Sequence, residues 1–281
     1  MNKHASLKDL NVQQRDAVLH TKGPVIVLAG AGSGKTKVIT YRFAHLNSAL
    51  KVPSSSILAM TFTNKAAGEM KERVEKLLGK NLKGLWIGTF HATSNRILRR
   101  EIKKIGFQND FAIYDEDDSH SLIRSILKEF RIHEALYRGI ASKITSLKAS
   151  LIGPNDFLNI TSEDSYGFDE KFSRVYVRYQ DELKKNNALD FDDLIMYTVK
   201  LFEEHPGVLK KYNDEFPYIM IDEFQDTNKA QYKLSKLLAG THKNICAVGD
   251  DDQSIYRFRG ADVNNMFTFE KDFPKVKVIR L

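Results

Sequence analysis

The sequence predicts an α/β fold, with a parallel sheet covered by helices on both faces and a mainly α-helical subdomain inserted into it. Three observations predict this. Short apolar runs recur along the chain, each followed by a stretch with helical spacing. A glycine-rich loop closes the first apolar run and opens a helix. Residues 107–189 break the strand–helix rhythm and carry helical spacing alone.

Taken in order, residues 25–30, 57–63 and 85–90 are near-continuous apolar runs, as strands buried on both faces require. Residues 34–50, 64–78 and 91–105 follow them with apolar positions at helical spacing. Within 107–189, Leu122, Ile123, Ile126, Leu127 and Phe130 lie at helical spacing behind the acidic cap region Asp115–Asp118. Residues 168–187 form a second amphipathic stretch. The segment Gly153-Pro154-Asn155-Asp156 and residues 161–167 read as loops. Strands are expected again at 218–224, 245–249 and 276–281, with a helix near 228–239. The division expected is therefore 1–106 with 190–281 as one discontinuous domain, and 107–189 as the insertion.

The composition is that of a globular protein: 281 residues, 42% hydrophobic and 28% charged. No apolar run approaches the roughly 20 residues that span a bilayer, so no membrane association is expected. The polar start carries no signal-peptide pattern. The single cysteine, Cys246, has no internal disulfide partner, and a cytoplasmic setting is expected. Charge is uneven. Residues 1–106 hold 19 Lys and Arg against 6 Asp and Glu; residues 107–189 hold 11 against 14, and 190–281 hold 13 against 16. A basic first third suits a polyanion such as nucleic acid, and equally a solvated lysine-rich surface. The histidines show no metal-ligand spacing.

The loop Ala29-Gly30-Ala31-Gly32-Ser33-Gly34-Lys35-Thr36 lies between an apolar run and a helix, the context a phosphate-binding loop needs. Glycines let backbone N–H groups curl around phosphate oxygens, and the helix N-terminus favours anions. Lys35 is placed to hold the β- and γ-phosphates and Thr36 to ligate Mg²⁺. Gly30 through Lys37 form the candidate nucleotide set. An acidic partner is expected on a neighbouring strand. Residues 218–223 supply it, ending in Asp222 for Mg²⁺ and Glu223 for the attacking water. Carboxylates at a strand end also serve as helix N-caps.

With these motifs in order, the chain resembles the UvrD/Rep/PcrA group of superfamily 1 helicases nearly end to end. Leu10-Asn11-Val12-Gln13-Gln14-Arg15 matches that group's adenine-reading motif, with Gln14 as the reader. A glutamine amide suits the N6/N7 edge of adenine, although Gln14 alone reads as a surface helix residue. Thr61-Phe62-Thr63-Asn64-Lys65-Ala66-Ala67 and Gly88-Thr89-Phe90-His91 match DNA-contacting motifs. Leu189-Asp190-Phe191-Asp192-Asp193-Leu194 matches the segment that re-enters the motor domain. Asp222-Glu223-Phe224-Gln225-Asp226-Thr227 matches the acidic motif, with Phe224 where tyrosine is usual. Residues 248–261, from Val248-Gly249-Asp250 to Arg259-Gly260-Ala261, match the motif joining nucleotide to DNA, with Phe258 where tryptophan is common.

The resemblance implies a RecA-like P-loop NTPase fold that uses ATP and Mg²⁺. It also implies 3′ to 5′ movement on single-stranded DNA, unwinding at duplex junctions, and work in DNA repair or replication. It assigns Lys35, Glu223 and Gln253 to catalysis, with Gln253 sensing the γ-phosphate. It puts Phe62, Thr63, Asn64, Thr89, His91, Tyr256, Phe258 and Arg259 on the DNA. Without the motif, Phe62, Phe90, Tyr256 and Phe258 read more readily as core than as base platforms. The resemblance further implies that an arginine-bearing motif follows residues 278–281, so the second RecA-like domain is expected to be absent. Weak ATP binding, poor hydrolysis and no unwinding are expected of these 281 residues alone. Two other readings fit the same motifs: the motor subunit of a helicase–nuclease complex, and a non-motor module that grips single strands under ATP control. Backbone and stacking contacts suit RNA as well as DNA.

Overall fold

The computed structural model describes residues 7–30, 32–160, 168–250 and 264–281. The chain forms two compact units, one of residues 1–93 with 205–281 and one of 94–204. The second unit takes in more chain at both ends than the expected 107–189. In chain order the elements are α1 (Val12–Leu19), β1 (Val25–Leu28), α2 (Lys35–Ser48), β2 (Ile57–Thr61), α3 (Asn64–Leu78), β3 (Trp86–Thr89) and α4 (Phe90–Glu101). There follow β4 (Ala112–Tyr114), α5 (Glu116–Glu129), α6 (Tyr137–Ala149), α7 (Pro154–Ile160), α8 (Phe168–Lys185), β5 (Ala188–Asp190) and α9 (Phe191–Glu204). The chain closes with α10 (Pro206–Glu215), β6 (Tyr218–Ile221), α11 (Lys229–Ala239), β7 (Ile245–Gly249), α12 (Asn264–Asp272) and β8 (Lys277–Arg280).

The first unit is built on a six-stranded sheet in the order β3-β2-β6-β7-β1-β8. Every neighbouring pair is parallel, so all six carboxyl ends share one edge. Val25, Val27, Ile57, Ala59, Met220, Cys246 and Val248 bury into one cluster with Val38, Ile39, Phe43 and Leu46 of α2 and Met70 and Val74 of α3. Each buried Val, Ile, Leu, Phe or Met side chain among these contributes about 1.5–3 kcal/mol. At the ends of β1 and β6 the ladder runs one residue past the strand: Ala29 N–H donates to Gly249 O at 2.9 Å, and Asp222 N–H to Met60 O at 2.9 Å. Both extensions fix the start of a functional segment.

Two expectations need correction. The acidic strand β6 is not the neighbour of β1, because β7 lies between them. Local sequence carries no signal for which of several apolar runs pairs with which. Of Gly153-Pro154-Asn155-Asp156, only Gly153 is outside a helix; Pro154, Asn155 and Asp156 start α7. Proline is suited to the first helical turn, where its missing N–H has no partner to lose, and Asp156 accepts from Gly153 N–H at 3.0 Å. Residues 161–167 lie outside the described residues.

Among its described residues, the regular structure of the second unit is helical apart from β4 and β5, which pair in parallel. Its helices bury Ile123, Ile126, Leu127, Ile140, Ile144, Phe172, Val175, Tyr176 and Leu183 together. Residues 190–204, expected in the nucleotide domain, sit in this unit. The reason is polar. Lys148 Nζ is fully buried and lies 2.6 Å from Asp190 Oδ2 and 2.7 Å from Asp193 Oδ1. Tyr179 O–H also donates to Asp190 Oδ2, at 2.9 Å.

Candidate nucleotide-binding site

The site is assembled at the carboxyl edge of the six-stranded sheet. β1 runs into the glycine loop, and α2 starts directly after it. Gly34, the residue before α2, has φ +93°, and Gly32 has φ +74°. L-residues with a Cβ avoid this left-handed region. A turn through Ser33 closes the loop: its N–H and its Oγ–H both donate to Gly30 O, at 3.3 and 2.7 Å. A Cβ added at Gly30 or Gly32 would meet open space. That opening is what a cradle of backbone N–H groups around phosphate requires.

Gln14 anchors the loop from outside. Its Nε2–H donates to Ser33 O at 2.8 Å, while its Oε1 accepts from Asn11 N–H at 3.2 Å and completes the N-cap of α1. The amide still has one N–H and one lone pair beyond these bonds. Gly34 must be glycine for a second reason: a Cβ there would come 2.7 Å from Gln14 Nε2. Arg42 of α2, fully buried, donates to Ala17 O at 2.7 Å and also to His20 O, locking α1 against α2. Lys37 Nζ turns to Asp9 O.

Lys35 points across the edge. Its Nζ lies 3.4 Å from Glu223 Oε2 and 3.4 Å from Asp250 Oδ2, with the lysine side chain 12% exposed. Asp222 follows β6 and is buried; its Oδ1 accepts from Glu223 N–H at 3.1 Å. Burial, and then the neighbouring Glu223 carboxylate, push the Asp222 carboxyl up from 3.8 to about 6. Lys35 and Arg73 act the other way. Glu223 itself sits in left-handed backbone, φ +51°, a conformation that costs a non-glycine residue roughly 1–3 kcal/mol. Its carboxylate stays partly open to solvent.

The geometry therefore brings Lys35, Asp222 and Glu223 to one edge and adds two residues that the sequence reading gave no role. Asp250 touches Lys35. Gln225, buried, spans from Glu223 to Asp250, with Nε2 at 2.9 Å from Glu223 Oε2 and Oε1 accepting from Asp250 N–H at 3.0 Å. In the sequence Gln225 shows only as the fourth residue of the acidic motif, between Phe224 and Asp226. Thr61 Oγ1, one residue past the Met60–Ile221 pair, is buried with no hydrogen-bond partner among the described residues. An open glycine loop, a lysine, a raised carboxylate and an orphan hydroxyl at one edge form a donor set that fits a metal–polyphosphate. Thr36 lies half-buried in the first turn of α2.

The candidate DNA residues lie on the same edge, after β2 and β3. Thr63 and Asn64 are exposed, and Phe62 packs edge-to-face on buried Phe90, ring centres 6.4 Å apart. Thr63 Oγ1 accepts from Ala66 N–H and Thr89 Oγ1 from Ala92 N–H, each at 3.1 Å. Both threonines thus cap helices and keep their O–H protons for another acceptor. His91 is half-buried in the first turn of α4. Ala31, Gln253, Tyr256, Phe258 and Arg259 lie outside the described residues. Among the described residues no cluster of metal-ligating side chains and no helix able to cross a membrane is present.

Residues 10–274 match the family described as the UvrD/REP helicase N-terminal domain. The chain is 50% identical over 277 residues to the ATP-dependent DNA helicase PcrA of Bacillus subtilis, covering 98% of this chain and 37% of that protein. It is 48% identical over 280 residues to the protein of the same name from Staphylococcus aureus, covering 99% of this chain and 38% of that one. The S. epidermidis protein is 47% identical with the same coverage. The chain thus spans little more than a third of the length of these relatives. With a match across almost its whole length, the chain belongs to the UvrD/REP helicase N-terminal domain family.

Proposed function

We propose that this chain is the nucleotide-binding part of an ATP-dependent DNA helicase. In this reading it is a cytoplasmic motor that moves 3′ to 5′ on single-stranded DNA, opens duplex at junctions, and serves repair or replication. The observation that carries the reading is the approach of Lys35 to Glu223 and Asp250, 3.4 Å each, directly after a glycine loop that opens a helix. The relatives' shared name, ATP-dependent DNA helicase, supports it.

In this reading the N–H groups of Gly30 to Lys37 hold the ATP phosphates, and Lys35 exchanges its carboxylate partners for the β- and γ-oxygens. Thr36 and Asp222 hold Mg²⁺, which supplies positive charge against the triphosphate. Glu223 accepts the proton of the attacking water. Water oxygen bonds to the γ-phosphorus as the bond to the bridging oxygen breaks, giving ADP and phosphate. The unused N–H and lone pair of Gln14 read adenine, and Gln253 senses the γ-phosphate. Phe62, Tyr256 and Phe258 stack on bases, while Thr63, Asn64, Thr89, His91 and Arg259 bond the backbone. Residues 94–204 are proposed as the inserted subdomain of a RecA-like motor.

The test is ATP hydrolysis by the 281-residue chain with and without single-stranded DNA. Beside it runs unwinding by a B. subtilis PcrA chimera carrying this chain in place of the matching segment. Slow hydrolysis and no unwinding are expected of the chain alone, and unwinding of 3′-tailed duplex by the chimera. Failure of the chain to bind nucleotide, or preference of the chimera for 5′ tails, would overturn the reading.

A further inference from the structure

We infer that Gln225 is a positioning residue that holds the Glu223 carboxylate in its working place and ties it to the end of the neighbouring strand. The inference rests on the proposed role of Glu223 as the group that takes the water proton.

Both N–H protons of the Gln225 amide are committed, and its oxygen accepts one backbone bond. Nε2 donates to Glu223 Oε2 at 2.9 Å and to Asp226 Oδ2 at 3.1 Å, and Oε1 accepts from Asp250 N–H at 3.0 Å. The residue is 2% exposed, so its side chain is closed off from solvent. These bonds close a ring. Lys35 touches Glu223 and Asp250; Gln225 links the Glu223 carboxylate to the Asp250 backbone. Glu223 needs such a hold, because its backbone is left-handed and its carboxylate is partly exposed. An exposed carboxylate on a strained residue has several rotamers of similar energy, and one donated hydrogen bond from a rigid, buried amide selects among them.

The opposite wall has been left empty for this amide. Gly249 ends β7, and a Cβ there would come 2.8 Å from Gln225 Oε1 and 3.2 Å from its backbone N. The glycine φ is not positive, so turn geometry does not demand glycine. Space for the Gln225 side chain does. The positions of Gly249 and Glu223 are thereby coupled, although the two residues belong to different strand ends.

A tie between strand ends and a hold on the carboxylate make different demands on residue 225. Gln225→Glu keeps an oxygen for Asp250 N–H but has no proton for Glu223. Gln225→Met keeps the volume and loses both bonds. Gly249→Ala leaves Gln225 present and pushes it away. The experiment is single-turnover ATP hydrolysis at saturating nucleotide by the 281-residue chain. It is paired with the dissociation constant of a fluorescent ATP analogue with magnesium and with the melting temperature, and Glu223→Gln is the control. Loss of aim at the water costs on the order of 100-fold in rate, the scale of a misplacement near 1 Å. That loss is expected in Gln225→Glu and Gln225→Met, with a similar loss in Gly249→Ala. Nucleotide affinity is expected within about threefold of wild type, since an effect confined to the transition state leaves binding alone. Gln225→Glu at the wild-type rate, beside a slow Glu223→Gln, overturns the inference and leaves the proposed function standing. A rate loss matched by an equal loss of affinity also overturns it. Wild type no faster than Glu223→Gln removes the role of Glu223 and this inference with it. Should Gln225→Met not fold, the other two variants decide.

Discussion

Alanine substitution of three glycines in one loop separates backbone strain, crowding and phosphate contact. At Gly34 the backbone has φ +93°, and an alanine Cβ would meet Gln14 Nε2 at 2.7 Å. Left-handed backbone costs an L-residue roughly 1–2 kcal/mol. Moving Gln14 also breaks its bond to Ser33 O, worth about 0.5–1.5 kcal/mol. Gly34→Ala should therefore destabilise by roughly 1.5–3.5 kcal/mol, counting both causes. Gly32 has φ +74° but open space around a Cβ, so Gly32→Ala carries the strain alone, about 1–2 kcal/mol. Gly30 has neither, and Gly30→Ala should be neutral or stabilising by up to about 1 kcal/mol. A domain of this size loses about 2–4 °C in melting temperature per kcal/mol, so the three variants are separable by circular dichroism. Affinity should follow a different order: Gly30→Ala, fully stable, loses nucleotide because its methyl fills the open cradle. Gly34→Ala melting no lower than Gly32→Ala, or Gly30→Ala binding nucleotide like wild type, would refute the reasoning.

Asp222 gives a pH prediction. Its folded-state carboxyl is raised from 3.8 to about 6, so the folded chain holds that proton more tightly than the unfolded chain. The stability this contributes is present below about pH 4 and is lost as pH rises through 6. Asp222→Asn should thus match wild type near pH 4 and exceed it at pH 7 by about 1–3 kcal/mol in denaturant unfolding, while losing magnesium-dependent nucleotide binding; an asparagine variant less stable at pH 7 contradicts this. Lys148→Met strands Asp190 and Asp193 and should destabilise the second unit by roughly 3–5 kcal/mol, with most of the loss recovered by adding Asp190→Asn and Asp193→Asn; hydrogen exchange within α6 and α8 reports it. Phe62→Ala should weaken single-stranded DNA binding by about 1–3 kcal/mol in fluorescence anisotropy, and an unchanged affinity would remove Phe62 from the DNA surface.

The sequence made the strands legible because a strand buried on both faces is an apolar run, and the loop legible because glycines before Lys35-Thr36 have few other uses. What stayed hidden depends on contacts far apart in sequence. The placement of β7 between β1 and β6 is one case; the grip of Gln14 on Ser33 is another. The three-residue strands β4 and β5 are too short to show a period. Lys148 did leave a trace. It falls four residues after Ile144 and eight after Ile140, on the buried stripe of α6, where a lysine demands an internal partner. Gln225 left less, since a glutamine between Phe224 and Asp226 gives no hint of what it bonds until Gly249 is brought opposite.

In the proposed function Lys35, Asp222 and Glu223 serve one magnesium-nucleotide pocket. Titration of the purified chain with a fluorescent ATP analogue, with and without magnesium, against the Lys35→Ala variant, tests this most directly. Saturable binding that strengthens with magnesium and weakens at least about tenfold in the variant is the predicted result. Equal binding by both proteins, or binding indifferent to magnesium, would contradict it.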